Sequence, residues 1–131
     1  MKEPTALRWL RGHKFTGLTP WHFVDDEVAR EGLRREFQVE TSGGPEPPRD
    51  FYPFASRQDQ DDVAGFVIRD EVITTEVIVV HLTWRRSSEG PGWPMTARFE
   101  NIWAWLKSVI DDSAEWCAVA DEADLIDLEA D

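Results

Sequence analysis

The sequence contains a single cysteine, Cys117, so no disulfide can form within the chain. It also lacks a long apolar run: no segment approaches the roughly 18 consecutive apolar residues of a membrane-spanning helix. Residues 1–20 contain no apolar core of a secretory signal. We therefore expect a soluble protein of the reducing cytoplasm that does not enter a membrane.

Positive charge is scarce. The chain has 26 acidic against 14 basic residues, for a net charge of −12. A protein that binds free nucleic acid needs a basic surface to displace the counterions of phosphate, so nucleic acid is an unsuitable direct partner. An anionic membrane surface is disfavoured for the same reason. An acidic surface instead suits a basic protein partner, although it also serves solubility alone.

Large apolar side chains are plentiful. Hydrophobic residues make up 41% of the 131 positions, with seven Trp and seven Phe, which is enough for a folded core. This length favours one domain over residues 1–131. We expect 1–17 to be an N-terminal extension and 118–131 an acidic C-terminal tail, because residues 111–131 carry nine acidic and no basic side chains.

The first part of the chain predicts two helices. One covers residues 4–11 and ends at Gly12, and residues 18–23 follow as a loop with buried aromatic side chains. Asp25 or Asp26 then caps a helix that runs to about Phe37. Its predicted apolar stripe is Val28, Leu33 and Phe37. The Gly- and Pro-rich residues 41–50 predict a loop.

The middle of the chain predicts strands. Phe51 to Ser56 is extended, and Pro53 favours a strand edge or start. Residues 63–68 form the next strand, and Asp70-Glu71 is a plausible hairpin turn into an extended run through Trp84. Residues 77–82 are apolar at every position but one, as in a strand covered on both faces.

The last part of the chain predicts a long helix from an N-cap at Thr96 to Cys117. Its apolar face is expected to include Phe99, Ile102, Trp103, Leu106, Val109 and Ile110. Residues 121–131 are expected to form a short amphipathic helix or a frayed end. The fold class that follows is α+β, with a small, mainly antiparallel sheet packed against helices in a single domain.

Three carboxylates in one predicted turn, Asp59, Asp61 and Asp62, suggest a metal site. The turn lacks the glycine and the closing glutamate of a calcium loop, and aspartates of a turn often accept backbone N–H groups instead. We expect no metal, cofactor or catalytic residue. A metal-dependent enzyme built on these aspartates and His81 remains the less favoured alternative. We do not expect Cys117 to act as a nucleophile, because it lies among acidic residues rather than in the electropositive surroundings of reactive thiols.

Three segments together resemble a known family. These are Pro-Phe-Ala-Ser-Arg-Gln-Asp-Gln-Asp-Asp-Val-Ala-Gly-Phe (53–66), Val-Ile-Val-Val-His (77–81) and Phe-Glu-Asn-Ile-Trp-Ala-Trp-Leu (99–106). Over residues 18–117 the chain resembles the SUKH superfamily of Smi/Knr-like proteins. That resemblance implies an α+β fold and no catalytic residues. It also implies a bacterial immunity protein that binds and neutralises a cognate toxin, in many cases a nuclease.

Acidity and resemblance together predict a non-enzymatic toxin inhibitor whose partner has a basic surface. A general interaction or regulatory module without a toxin is the alternative. The expected contact surface consists of two acidic groups and two loop tryptophans: Asp59, Asp61 and Asp62; Asp111, Asp112, Glu115, Asp121 and Glu122; Trp84 and Trp93.

Overall fold

A computed structural model describes residues 1–42, 47–59, 61–82 and 95–130. Within these ranges the chain forms four helices and six strands. In chain order they are α1 (Thr5–Gly12), β1 (Gly17–Leu18), β2 (Trp21–Phe23), α2 (Glu27–Thr41), β3 (Phe51–Arg57), β4 (Asp62–Arg69), β5 (Val72–His81), β6 (Met95–Phe99), α3 (Ile102–Val119) and α4 (Glu122–Glu129).

The strands form one antiparallel sheet in the order β1-β2-β3-β4-β5-β6, so every strand pairs with its neighbours along the chain. The predicted turn at Asp70 and Glu71 is confirmed. Arg69 pairs with Val72, and both turn residues have positive φ, at 50° and 64°. Two such residues give the turn a twist that matches the strands of a tight hairpin.

Both faces of the sheet are covered. Alternate residues of β5 enter two separate clusters: Val77 and Val79 pack with α1 and α3, whereas Ile78 and Val80 pack with Phe37 of α2. This alternation follows from the two-residue period of a strand. The α+β prediction is confirmed, and so is the expectation that residues 77–82 are shielded on both sides.

Helix α1 belongs to the core. Leu7 is fully buried and Leu10 is 9% exposed, both in the cluster with α3. Residues 1–17, which we expected as an extension, therefore contribute to the main hydrophobic cluster. Burial of one leucine side chain stabilises a fold by about 1.5–3 kcal/mol.

Helix α2 begins as predicted and ends later. The side chain of Asp26 accepts a hydrogen bond from the backbone N–H of Val28 and caps the helix. The predicted stripe is wrong at one position, since Val28 is 81% exposed whereas Phe37 is 1% exposed. The helix continues past Phe37 to Thr41, whose hydroxyl donates to the carbonyl of Phe37 at 2.8 Å.

The predicted start of the long helix is wrong. Thr96 lies in β6, and α3 begins after Asn101, whose side-chain oxygen accepts from the N–H of Ala104 at 2.9 Å. The core tryptophan is also a different one. Trp105 is 1% exposed, whereas Trp103 is 45% exposed. The later start leaves Ile102, Trp105 and Val109 as the buried positions of α3.

Residues 18–23 form most of a short hairpin rather than a loop, and the expected burial of Trp21 and Phe23 is confirmed. Strand β3 lies inside the sheet, but it pairs with β2 only from Ala55 to Arg57, so Pro53 has no partner in β2. The missing N–H of proline is therefore tolerated at a local edge. Opposite Pro53, a Cβ on Gly65 would collide with the ring of Phe51.

In the described part of the chain, no helix has the length and apolar character needed to cross a membrane.

Candidate functional site

The aspartates of the β3–β4 turn have partners within the fold. The carboxylate of Asp59 accepts two hydrogen bonds from Arg57, at 2.6 and 3.2 Å. Nδ1 of His81 lies 2.8 Å from the carboxylate of Asp62. Of the three predicted contact residues, only Asp61 is both exposed and without an ion pair among the described residues.

Arg57 joins the two predicted acidic groups. Its guanidinium lies 3.5 Å from Asp112 of α3, which also accepts a hydrogen bond from the indole N–H of Trp21 at 3.0 Å. The hydrogen bonds that Arg57 donates to Asp59 raise the pKa of Arg57, and the charges of Asp59, Asp112 and Asp62 raise it further. Arg57 and Asp112 therefore tie α3 to the sheet, and Asp59 and Asp112 share the positive charge of one arginine.

The remaining predicted acids of the C-terminal region are exposed: Asp111, Glu115, Asp121 and Glu122. The sequence places no Lys or Arg after Lys107. Among the described residues, none of these four carboxylates forms an ion pair. Asp121 instead caps α4 in a reciprocal pair of hydrogen bonds with Asp124. Among the described residues, the charges of these four carboxylates are therefore not compensated by a basic side chain.

The predicted contact residues Trp84 and Trp93 lie outside the described residues.

A groove lies beside this acidic region. The C-terminal end of α3, α4 and the β1–β2 hairpin enclose a cavity of about 530 Å³. Its apolar lining includes Leu18, Trp116, Cys117, Leu125 and Leu128. Sequence reasoning missed this groove, because its walls come from distant segments. The available signal was the three-residue spacing of Leu125 and Leu128, which places them on one side of a helix.

A second acidic patch lies on the α2 side of the sheet, where Asp61 meets Glu36 and Glu40. Burial raises the pKa of Glu36, and the charges of Glu40 and Asp61 raise it further. One carboxylate oxygen of Glu40 is buried and has no hydrogen-bond partner among the described residues. Two negative charges beside Glu36 thus disfavour its ionised form.

Paired charges line a cavity of about 690 Å³ beside α1, α2 and β3. Arg11 donates to both oxygens of Glu3 at 2.7 and 3.1 Å, and the hydroxyl of Tyr52 donates to Glu3 at 2.6 Å. Arg30 is 4% exposed, donates to the carbonyls of Pro53 and Val24, and lies 4.7 Å from the centre of the Tyr52 ring. Burial and the bond to Glu3 raise the pKa of Tyr52 to about 12. This network joins α1, α2 and β3.

The metal alternative required Asp59, Asp61, Asp62 and His81 to converge. Instead, Asp59 accepts a hydrogen bond from Arg57, and Asp62 forms a hydrogen bond with His81. Within the described ranges, no three His, Cys, Asp or Glu side chains are arranged to hold an ion.

A serine and a histidine meet at the paired ends of β2 and β3. The hydroxyl of Ser56 lies 3.1 Å from Nε2 of the exposed His22. A nucleophilic serine also needs a group that orients its histidine. The described residues place no carboxylate in hydrogen-bond contact with His22.

Neither a protein-family model nor a curated protein nor a solved structure matches this chain. A function for the protein therefore rests on its own residues.

Proposed function

We propose that this protein is an immunity protein of the bacterial cytoplasm, which binds a toxin with a basic surface and blocks it without chemistry. The observation that carries the proposal is the uncompensated acidity of α3 and α4. Residues 111–131 contain nine carboxylates and no Lys or Arg, and only Asp112 among them is paired with an arginine in the described residues. The resemblance to the SUKH superfamily supports the same function.

Uncompensated carboxylates differ physically from paired ones. An arginine–carboxylate pair has a weak field at a distance, whereas a patch of like charges attracts an oppositely charged protein over about a Debye length, roughly 8–10 Å in salt. Such attraction raises association rates and selects basic partners. A toxin that acts on nucleic acid must attract phosphate and so presents a basic mouth. The surface of α3 and α4 complements it.

The test is co-expression with the protein encoded by the adjacent gene. We expect that neighbour to be toxic alone and harmless beside this chain. A neighbour that is harmless alone, or that stays lethal in the presence of this chain, overturns the proposal.

A charge-neutralised variant localises the contact. Asp111→Asn, Glu115→Gln and Glu122→Gln together are expected to slow association by about tenfold at low salt. The matched control removes the same charge elsewhere, as Asp70→Asn, Glu71→Gln and Glu100→Gln, which are also exposed. Equal slowing by both variants would show that net charge, rather than the C-terminal region, attracts the partner.

The second candidate is an interaction module that binds a basic protein other than a toxin. The same acidic surface supports it, because electrostatic complementarity does not depend on what the partner does. A bound neighbour that is not toxic when expressed alone distinguishes this candidate from the first.

A further inference from the structure

The groove between α3, α4 and the β1–β2 hairpin has the character of a binding site for an amphipathic segment. Part of its lining is apolar, with Trp116 and Cys117 from α3 and Leu125 and Leu128 from α4. Leu125 and Leu128 are 46% and 57% exposed, and α4 has no buried residue. Exposed aliphatic side chains that line a concave surface mark interaction sites more often than isolated ones do.

An apolar stripe extends the groove along α3. Trp103 and Ile110 are 45% and 57% exposed, and with Cys117 they recur at seven-residue intervals. Residues at this spacing lie on nearly the same side of a helix, because seven residues make almost two turns. The stripe spans 14 residues, or roughly 21 Å at 1.5 Å per residue. A helix of similar length on the partner could contact all three of these exposed side chains.

The charges around the groove determine which amphipathic segment suits it. Asp124 and Asp127 line the groove itself, and Glu115 and Glu122 lie on the same two helices. No Lys or Arg follows Lys107 in the sequence. A second copy of this chain would bring like charges together, and an anionic membrane would be repelled. A cationic occupant gains attraction from the same carboxylates.

We propose that this groove and the α3 stripe bind a positively charged amphipathic helix of the partner protein. Its apolar side chains lie against Leu125, Leu128 and Trp116, and its Lys or Arg side chains face the carboxylates of Asp124 and Asp127. A helix laid in an apolar groove between helices is a common mode of peptide recognition. This inference rests on the proposed function, because it names the part of the partner that the acidic surface binds.

The test uses a designed, fluorescently labelled helical peptide of about 18 residues, long enough to be partly helical in water. It carries leucines on one face and lysines elsewhere. One companion replaces every lysine by glutamate, and another scrambles the lysine peptide so that no apolar face remains. We expect the full-length protein to bind the lysine peptide at least about tenfold more tightly than either companion. Equal affinity for the scrambled peptide would show that charge alone accounts for binding, without the apolar groove, and would overturn the proposal.

Two variants locate the site. Leu125→Ala with Leu128→Ala is expected to weaken peptide binding by about tenfold or more. The matched control, Val28→Ala with Val39→Ala, also removes two exposed aliphatic side chains, but from α2. It is expected to change affinity by less than about twofold. Unaltered affinity in the α4 variant overturns the proposal.

Cys117 supplies an independent measurement, since it is the single cysteine, is exposed and lines the groove. A saturating amount of the lysine peptide is expected to slow the reaction of its thiol with a neutral alkylating reagent by about fivefold or more. An unchanged rate with bound peptide would place the peptide elsewhere and contradict the proposal.

The two proposals fail in different ways. If the adjacent toxin is fully neutralised by the Leu125→Ala, Leu128→Ala variant with unchanged affinity, the groove is not its site, although the immunity function stands. If the lysine peptide binds the groove as expected but no adjacent toxin exists, the groove inference holds and the immunity function fails.

Discussion

The region around α1 and α2 and the region of α3 and α4 differ in how many of their carboxylates form ion pairs with arginines. In the first, two carboxylates are held by arginines: Arg34 donates to both oxygens of Asp50 at 2.8 Å, and Arg11 donates to both oxygens of Glu3. Glu36 and Glu40 of α2 are exceptions among the described residues. In the second, the carboxylates lie in a part of the chain that contains no Lys or Arg after Lys107. The net charge of −12 is therefore concentrated on one part of the surface, and the paired charges elsewhere hold elements of the fold together.

The largest expected contrast lies within α3, whose buried side supports the fold. Trp105→Ala removes a ring that contacts Trp21 and Phe54, with ring centres 5.5 and 4.9 Å away. We expect a loss of about 3–5 kcal/mol of unfolding free energy. Trp103→Ala, two residues away and 45% exposed, should cost less than about 1 kcal/mol. Urea denaturation measures both, and equal losses would contradict the division of α3 into a buried and an exposed side.

A second contrast concerns two arginines of α2. Arg30→Met leaves the carbonyls of Pro53 and Val24 without their donor, so we expect a loss of about 2–3 kcal/mol. Arg35→Met removes an exposed arginine one turn further along the helix and should change stability by less than about 0.5 kcal/mol. Denaturant unfolding of both variants is the measurement. If Arg30→Met lowers the unfolding free energy no more than Arg35→Met does, the hydrogen bonds of Arg30 do not stabilise the fold.

Two glutamates should respond to pH with opposite sign. The hydrogen bond from Arg11, with that from Tyr52, lowers the pKa of Glu3 below its ordinary value of 4.5. Ionised Glu3 therefore stabilises the fold fully at pH values above 4.5, and this stabilisation is lost as the pH falls through the lowered pKa of the folded state. We expect Glu3→Gln to cost about 1–2 kcal/mol at pH 7 and almost nothing at pH values well below 4.5.

Glu36 is the counterpart, because burial raises its pKa. The ionised form is then penalised in the fold, and the penalty is complete above the raised pKa and absent well below the ordinary one. Glu36→Gln is expected to raise stability at pH 7 by less than about 1 kcal/mol, and the gain should vanish in acid. Urea unfolding over a series of pH values measures both glutamates. Shifts of the same sign in the two variants would refute this assignment.

The smallest expected effect on stability comes from the C-terminal end. Deletion of residues 122–131 removes α4, which has no buried residue, and should alter the unfolding free energy by less than about 0.5 kcal/mol. The same deletion should abolish binding of the cationic peptide. Denaturation and peptide titration on one sample separate the two effects. A large loss of stability would make α4 part of the fold rather than part of the binding surface.

Local signals predicted much of the fold. Asp26 was one of two proposed caps of α2, and the Asp70-Glu71 turn follows from the polar pair between two apolar runs. Residues 96–99 show where local signals fail. Their apolar spacing continues that of the helix, but pairing with β5 places them in a strand. That pairing is a contact between strands, and helical periodicity contains no information about it. The choice of Trp105 over Trp103 then depends on where α3 begins.

The candidate site was less predictable. The sequence located its acidic residues, but not which of them are neutralised. Arg57 and Asp112 are far apart in the chain, and they meet only because α3 lies against the sheet. Asp59, by contrast, lies two residues from Arg57. The groove has the same origin, since Leu18 and Leu128 line it from opposite ends of the sequence.

The order of strands has a consequence for self-association. An open sheet has two edges, and an edge strand with free backbone groups is a template for adding strands of other molecules. Here β1 is only two residues long, too short for a register of several hydrogen bonds. At the other edge of the sheet, among the described residues, β6 places the exposed Arg98 at the fourth of its five positions, with its guanidinium 3.1 Å from Glu76. Within the described residues, both edges of the sheet thus have a feature that disfavours the addition of further strands.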